Sequence, residues 1–136
     1  MTAVAPVVLD TNIVLDLYVF DDPATRLVRE AVEAGALRWL ATAPMREELA
    51  RVLAYPQIVP RLAFHGHDAQ AVLAHFDRWA QLVAPADKAP ITCKDPDDQR
   101  FIDLAVAHGA RLLSKDKAVL VMRKRMERLG AEAARC

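Results

Sequence analysis

The apolar positions of the chain fall into two patterns. Short, mostly apolar runs predict buried strands at residues 7–9, 37–41 and 111–114. Between and after these runs, apolar residues recur at helical spacing, which predicts helices over residues 12–20, 24–34, 44–53, 68–83, 96–108 and 116–129. Strands that alternate with helices are typical of an α/β fold, in which helices cover a parallel sheet.

The connecting segments carry weaker patterns. Two prolines in residues 55–64 favour short helical turns there. Residues 84–95 also contain two prolines and are predicted to form a loop, with at most a weak strand near residues 89–92. Residues 132–135 form a weakly apolar run after the last predicted helix.

The composition fits one folded domain over residues 1–136. The hydrophobic fraction of 54% excludes a disordered chain. Two cysteines are too few for a disulfide framework. The first residues lack the pattern of a signal peptide, and no apolar stretch is long enough to cross a membrane. We therefore expect a cytoplasmic protein without a membrane partner.

The formal net charge is +0, but the charged residues are unevenly distributed along the chain. Residues 1–110 hold ten basic and fifteen acidic side chains, whereas residues 111–136 hold eight basic and three acidic ones. A neutral total argues against a nucleic-acid partner, because phosphate binding normally needs a basic surplus. The basic C-terminal segment restores that possibility.

Acidic residues follow two of the predicted strands. Asp10 ends the first strand, and Asp116 comes two residues after residues 111–114. Ligands of parallel α/β folds bind outside the carboxyl ends of the strands, so both side chains are candidate site residues. Asp16, which lies within the first predicted helix, is expected at the surface.

The other acidic residues can be distinguished by the side of the predicted helix on which each one falls. Glu48 falls at the edge of an apolar stripe, and Asp98 falls on the apolar side of its helix. Asp95 and Asp97 suit the start of that helix, where capping and first-turn acids are favourable. Asp103 is predicted to point away from the apolar side. A carboxylate beside a buried face needs a partner or a metal ion, so Glu48 and Asp98 are also candidates.

Four carboxylates in one place repel one another unless protons or a cation offset their charge. The predicted set is Asp10, Glu48, Asp98 and Asp116. Ligands that are all oxygen atoms favour hard cations, which predicts Mg²⁺ or Mn²⁺ as the cofactor.

The segments VVLDTNIVLD, MREELARVLAYP and DPDDQRFIDLAVAHGARLLSKD carry these acids in order. With them the sequence resembles the PIN-domain nucleases, and most closely the VapC-like toxins of bacterial toxin–antitoxin pairs. The resemblance extends over nearly the whole chain. It implies a three-layer α/β/α sandwich with a central parallel sheet of four to five strands. It also implies metal-dependent hydrolysis of phosphodiester bonds, usually in RNA.

The resemblance assigns roles to particular residues. The catalytic and metal-binding positions correspond to Asp10, Glu48, Asp98 and Asp116. Supporting positions correspond to Thr11, Asn12, Ser114 and Asp97, and basic residues expected to contact RNA are Lys115, Lys117 and Arg123. The resemblance further implies a cognate antitoxin as a protein partner and a homodimer or higher homo-oligomer.

Two departures from the family pattern stand out. The family often continues into a further strand, whereas this chain has only the weak run at residues 132–135. Lys117 and Ala118 stand where many relatives place another acid, so a second metal ion is expected to bind poorly or only with substrate.

Two other functions remain open from the sequence. Haloacid-dehalogenase-like enzymes also begin with a strand that ends in Asp, but they need a second Asp where this chain has Asn12. A non-catalytic PIN-like scaffold that binds RNA or protein is the second alternative. It would have no reason to keep four mutually repelling acids.

Overall fold

The fold is built around one sheet of five parallel strands. The computed structural model describes residues 4–136, and the strands follow the spatial order β3-β2-β1-β4-β5. Their bounds are β1 Ala5–Leu9, β2 Leu37–Ala41, β3 Gln81–Leu82, β4 Arg111–Ser114 and β5 Glu132–Arg135. The predicted parallel sheet is confirmed, with the larger of the two expected strand numbers.

Helices cover the sheet on both sides. Val7, Val8 and Leu9 are consecutive and all buried, although side chains of a strand alternate between its two faces. The predicted three-layer sandwich is therefore confirmed. The helices are α1 Thr11–Tyr18, α2 Arg26–Glu33, α3 Ala43–Leu53, α4 Val59–Phe64, α5 Ala69–Trp79, α6 Gln99–His108, α7 Lys117–Leu120 and α8 Arg123–Arg128. Short 3₁₀ turns at Pro23–Thr25 and Pro96–Asp98 precede α2 and α6.

The strand order reverses direction between β1 and β4. The chain builds β2 and β3 on one side of β1, and it then crosses back to place β4 and β5 on the other side. Leu9 lies beside Leu113 in the register of β1 and β4. Such a reversal opens a crevice at the carboxyl ends of the two strands, which is where ligands of open α/β sheets bind.

The predicted helix over residues 68–83 is wrong at its C-terminal end. The helix α5 stops at Trp79, and residues 81–82 form β3 beside β2. The amide of Val83 continues this pairing by donating to the carbonyl of Ala41 at 2.8 Å. Pairing with a distant strand overrides the local helical pattern. The weak strand predicted near residues 89–92 does not form.

The C-terminal segment differs from its prediction in two ways. Instead of one helix over residues 116–129 there are two short ones, α7 and α8. Gly130, at a φ of 83°, then turns the chain out of α8. The weak run at residues 132–135 forms the edge strand β5, with Leu112 beside Ala133. The strand whose presence was in doubt is therefore present.

No helix within residues 4–136 is both long enough and apolar enough to cross a membrane. The domain predicted over residues 1–136 and the N-terminal segment predicted not to be a signal peptide both include residues 1–3. These three residues lie outside the described part of the chain.

Candidate functional site

Two acids lie at the crevice between β1 and β4, and one serine connects them. Asp10 directly follows β1 and is 3% exposed, and its Oδ1 caps α1 by accepting the amide of Ile13 at 2.9 Å. Its Oδ2 accepts a hydrogen bond from the hydroxyl of Ser114, the buried last residue of β4. The Ser114 Oγ in turn accepts the amide of Asp116 at 3.0 Å. The strand ends thus fix both carboxylates relative to the sheet.

Three carboxylates converge at this position. Oxygen atoms of Asp95, Asp98 and Asp116 lie within 4.8 Å of one another, and we call these three residues the acidic centre. Asp116 caps α7 through an Oδ1 contact of 2.9 Å with the amide of Ala118. Asp95 and Asp98 come from the 3₁₀ turn that opens α6. The centre therefore joins the end of β4 to the start of α6.

The electrostatics of the acidic centre fit a bound cation. The Asp98 Oδ2 is buried and has no hydrogen-bond partner among the described residues. Burial, a side-chain hydrogen bond with Asp116 and the charges of Asp116, Asp95 and Asp10 raise the pKa of Asp98 to about 8. Burial also raises the pKa of Asp10, against the lowering effect of the Ser114 hydroxyl. A buried oxygen without a donor, among like charges, is the situation that a divalent cation relieves.

Glu48 lies at the rim instead of in the acidic centre. It is half-buried on α3, and its Oε2 accepts the hydroxyl hydrogen of Thr11 at 2.6 Å. Thr11 is the first residue of α1, directly after Asp10. This hydrogen bond holds Glu48 towards the carboxyl end of β1.

The remaining predicted site residues lie around this centre. Asn12 and Asp97 are exposed, and the Asp97 amide donates to Asp95 at 2.9 Å. Lys117 and Arg123 are exposed on the basic C-terminal segment. Lys115 lies beside the centre, and its ammonium group pairs with Asp16.

Asp95 was missed as a candidate metal ligand. The capping role predicted for it is present, since its Oδ1 accepts the Asp97 amide. The same carboxylate also belongs to the acidic centre. Capping explains an acid at this position completely, so the sequence offered no reason to look for a second role.

Two acids predicted to face solvent are buried. Asp16 is 6% exposed, and Asp103 is 9% exposed. Asp16 stands three residues after the buried Ile13, and this helical spacing was the available signal. Asp103 lies in the buried run of α6 that also contains Leu104, so its predicted direction is wrong.

Asp103 and Gln99 fix the loop that leads to the acidic centre. The Asp103 Oδ1 accepts the amide of Ala89 at 2.9 Å and the Gln99 Nε2 at 2.7 Å. Gln99 also donates to the carbonyl of Ile91 at 3.0 Å and accepts the amide of Cys93 at 2.6 Å. These bonds hold irregular backbone immediately before Asp95. Groups that orient a metal ligand in this way typically change metal affinity when they are removed.

Replacing Gln99 with Leu is expected to weaken Mn²⁺ binding about tenfold, because the loop before Asp95 loses two hydrogen bonds and Asp103 loses a third. Isothermal titration calorimetry on the purified variant measures this affinity, and thermal unfolding measures stability beside it. Gln70→Leu is the matched control, since Gln70 is exposed on α5. A Gln99→Leu protein that unfolds earlier but binds Mn²⁺ with unchanged affinity would contradict the positioning role.

The fold and the acidic centre together define an α/β protein with a carboxylate site suited to a divalent cation. The family model described as PIN domain matches residues 6–118. The chain therefore belongs to the PIN-domain family, whose members are generally metal-dependent nucleases. A search of curated protein sequences found no match to this chain.

Proposed function

We propose that this PIN domain is an endoribonuclease that depends on Mg²⁺ or Mn²⁺. The observation that carries the proposal is the acidic centre, where three carboxylates lie within 4.8 Å and the Asp98 Oδ2 is buried without a donor. Oxygen ligands alone favour hard cations such as these.

Each acid has a distinct part in this proposal. Asp95, Asp98 and Asp116 would hold the cation, and Asp10 adds buried negative charge beside them. The hydroxyls of Ser114 and Thr11 orient Asp10 and Glu48 respectively. When bound, the cation supplies a water of lowered pKa and offsets charge on the phosphate that is attacked. Glu48, at the rim, is placed to act on solvent or substrate that approaches the centre.

The charge distribution supports a nucleic acid as the substrate. The acidic centre alone would repel phosphate, so binding of RNA should itself depend on the cation. Lys117 and Arg123 are exposed on the segment that carries the basic surplus. That segment contains Asp116, and it offers positive charge next to the place where a phosphodiester would bind.

The proposal extends to a toxin with a cognate antitoxin, acting in the cytoplasm. The resemblance to VapC-like toxins supports this role. Large exposed apolar side chains, Leu27 at 78% and Phe64 at 84%, support protein contacts such as an antitoxin or a second copy of the chain. Cys93 and Cys136 are free thiols, which fits a reducing compartment.

Metal removal tests the proposal directly. Purified protein dialysed against EDTA is expected to leave single-stranded RNA intact and to cleave it when Mg²⁺ or Mn²⁺ is restored, as gel electrophoresis would resolve. A panel of transfer, ribosomal and messenger RNA identifies the preferred target. RNA binding without cleavage at every metal concentration would instead favour a non-catalytic scaffold. Growth arrest on expression, relieved by the product of an adjacent small reading frame, tests the toxin role separately.

A further inference from the structure

A polar cavity of about 510 Å³ opens beside the acidic centre. Asp116, Lys115 and Arg61 of α4 line it together with Asn12 and Phe20 of the α1 region and the acids Asp16 and Asp22. Its volume lies within the range of small-ligand sites in proteins. The resemblance gives Asn12 a supporting role and Lys115 a contact with RNA, whereas Arg61 and Phe20 have no role in the function proposed above. A ligand in it would be adjacent to whatever is bound at the acidic centre.

One cation of the cavity is held in place. The Lys115 ammonium pairs with the buried Asp16, and the Asp22 Oδ2 lies 3.7 Å from the same nitrogen. Its positive charge is therefore fixed at one place on the cavity wall instead of being spread over many side-chain conformations. Asp16 and Asp22 offset its charge, so the fixed ammonium group next to Asp116 is suited to donate a hydrogen bond to a ribose or phosphate oxygen.

Arg61 is the second cationic side chain of the cavity, and its guanidinium group is planar. The guanidinium carbon of Arg61 lies 4.0 Å from the centroid of the Phe20 ring. Arg61 is exposed and has no carboxylate within salt-bridge distance among residues 4–136. The ring restrains the guanidinium on one face, so its other face remains accessible. Unpaired bases of RNA stack on aromatic rings and on arginine planes of this kind.

We propose that this cavity binds one nucleotide of the RNA, next to the phosphodiester at the acidic centre, with its base stacked on Arg61. We call it the nucleotide cavity. The inference rests on the proposed ribonuclease function and assigns Arg61 a role in binding the RNA. Lys115 contacts the sugar–phosphate backbone, and Arg61 with Phe20 provides the stacking surface. Because the base is held before and during the reaction alike, its contribution falls on substrate binding.

Cleavage kinetics test the role of Arg61. Arg61→Ala is expected to raise KM for single-stranded RNA about tenfold with kcat nearly unchanged, since base stacking contributes at this scale. Arg61→Lys keeps the charge without the plane and is expected to restore less than half of the lost affinity. Arg78→Ala is the matched control, because Arg78 also lies over an aromatic ring, Trp79, at 4.6 Å, but does not line the cavity. Equal KM for wild type and Arg61→Ala would overturn the proposal and leave the nuclease function intact.

A binding measurement separates the cavity from catalysis. We expect the wild type to bind 5′-AMP about tenfold more tightly than ribose 5-phosphate, which lacks the base, in nuclear magnetic resonance titrations. Arg61→Ala should remove this difference, and the same titrations should shift the amide signals of Phe20 and Arg61. Equal affinity for the two probes would mean that only phosphate is recognised, which contradicts the stacked base. A wild type that binds 5′-AMP through Arg61 but cleaves no RNA would contradict the ribonuclease function alone.

Discussion

Replacing Asp98 with Asn is expected to reduce metal-dependent RNA cleavage about a hundredfold or more. The Asp98 Oδ2 is buried without a hydrogen-bond donor, between Asp95 and Asp116. Asparagine keeps the shape but replaces one carboxylate oxygen with an NH₂ group, which repels a cation. Loss of a direct ligand should exceed the ten- to hundredfold loss typical of groups that only orient a ligand, so Mn²⁺ affinity should fall about a hundredfold as well.

The measurement combines a cleavage assay with a calorimetric titration of Mn²⁺. Asp87→Asn serves as the control, since Asp87 is exposed in the loop before α6 and loses the same charge. An Asp98→Asn protein that folds normally, binds Mn²⁺ as the wild type does and still cleaves RNA would remove Asp98 from the site. A protein that binds Mn²⁺ normally but does not cleave would place the cation elsewhere, with Asp98 acting on the substrate.

Much of the fold followed from local patterns, and the exceptions share a cause. The strands β1, β2 and β4 are flanked by strong turn and helix signals, and their positions were predicted. The strand β3 has two residues, both exposed, so its strand character comes from pairing with β2 and not from its own side chains. The strand β5 likewise depends on pairing with β4. Edge strands of this kind carry too little apolar periodicity to be assigned alone.

The site was predictable where an acid lies at an element boundary. Asp10 and Asp116 follow strands, and parallel topology brings such residues to one edge of the sheet. Asp98 was distinguished by helical phase. Asp95 was not, because its capping hydrogen bond satisfies the local pattern and only the folded chain shows that the same side chain reaches Asp116.

Each buried acid that escaped prediction has at least one partner distant in the sequence. Asp16 is buried because Lys115, from the end of β4, supplies its opposite charge. Asp103 is buried because it binds the backbone of Ala89 and the side chain of Gln99. From the sequence alone, an acid is expected at the solvated surface unless the partners that satisfy it when buried are known. Long-range polar pairing is therefore the part of this site that local sequence patterns do not encode.

The metal-free protein is expected to lose stability as pH rises from 5 to 8.5. The pKa of Asp98 is raised from 3.8 to about 8 in the folded chain, so the native state holds a proton that the unfolded state releases. This contribution to stability is complete below the ordinary pKa and disappears as pH passes the folded value. Because Asp98 is only partly buried, solvent screening leaves an effect of about 1 kcal/mol, which corresponds to a Tm shift of roughly 5 °C.

Differential scanning calorimetry of wild type and Asp98→Asn, each with and without Mn²⁺, separates this effect from other titrations. The neutral amide cannot ionise, so the variant should show a flatter pH dependence and a higher Tm than wild type at pH 8 without metal. Mn²⁺ should raise the wild-type Tm more at pH 8 than at pH 5, because protons compete for the same oxygen atoms. Parallel pH profiles for the two proteins would contradict the raised pKa. A wild-type Tm that Mn²⁺ leaves unchanged at pH 8 would contradict cation binding at the acidic centre.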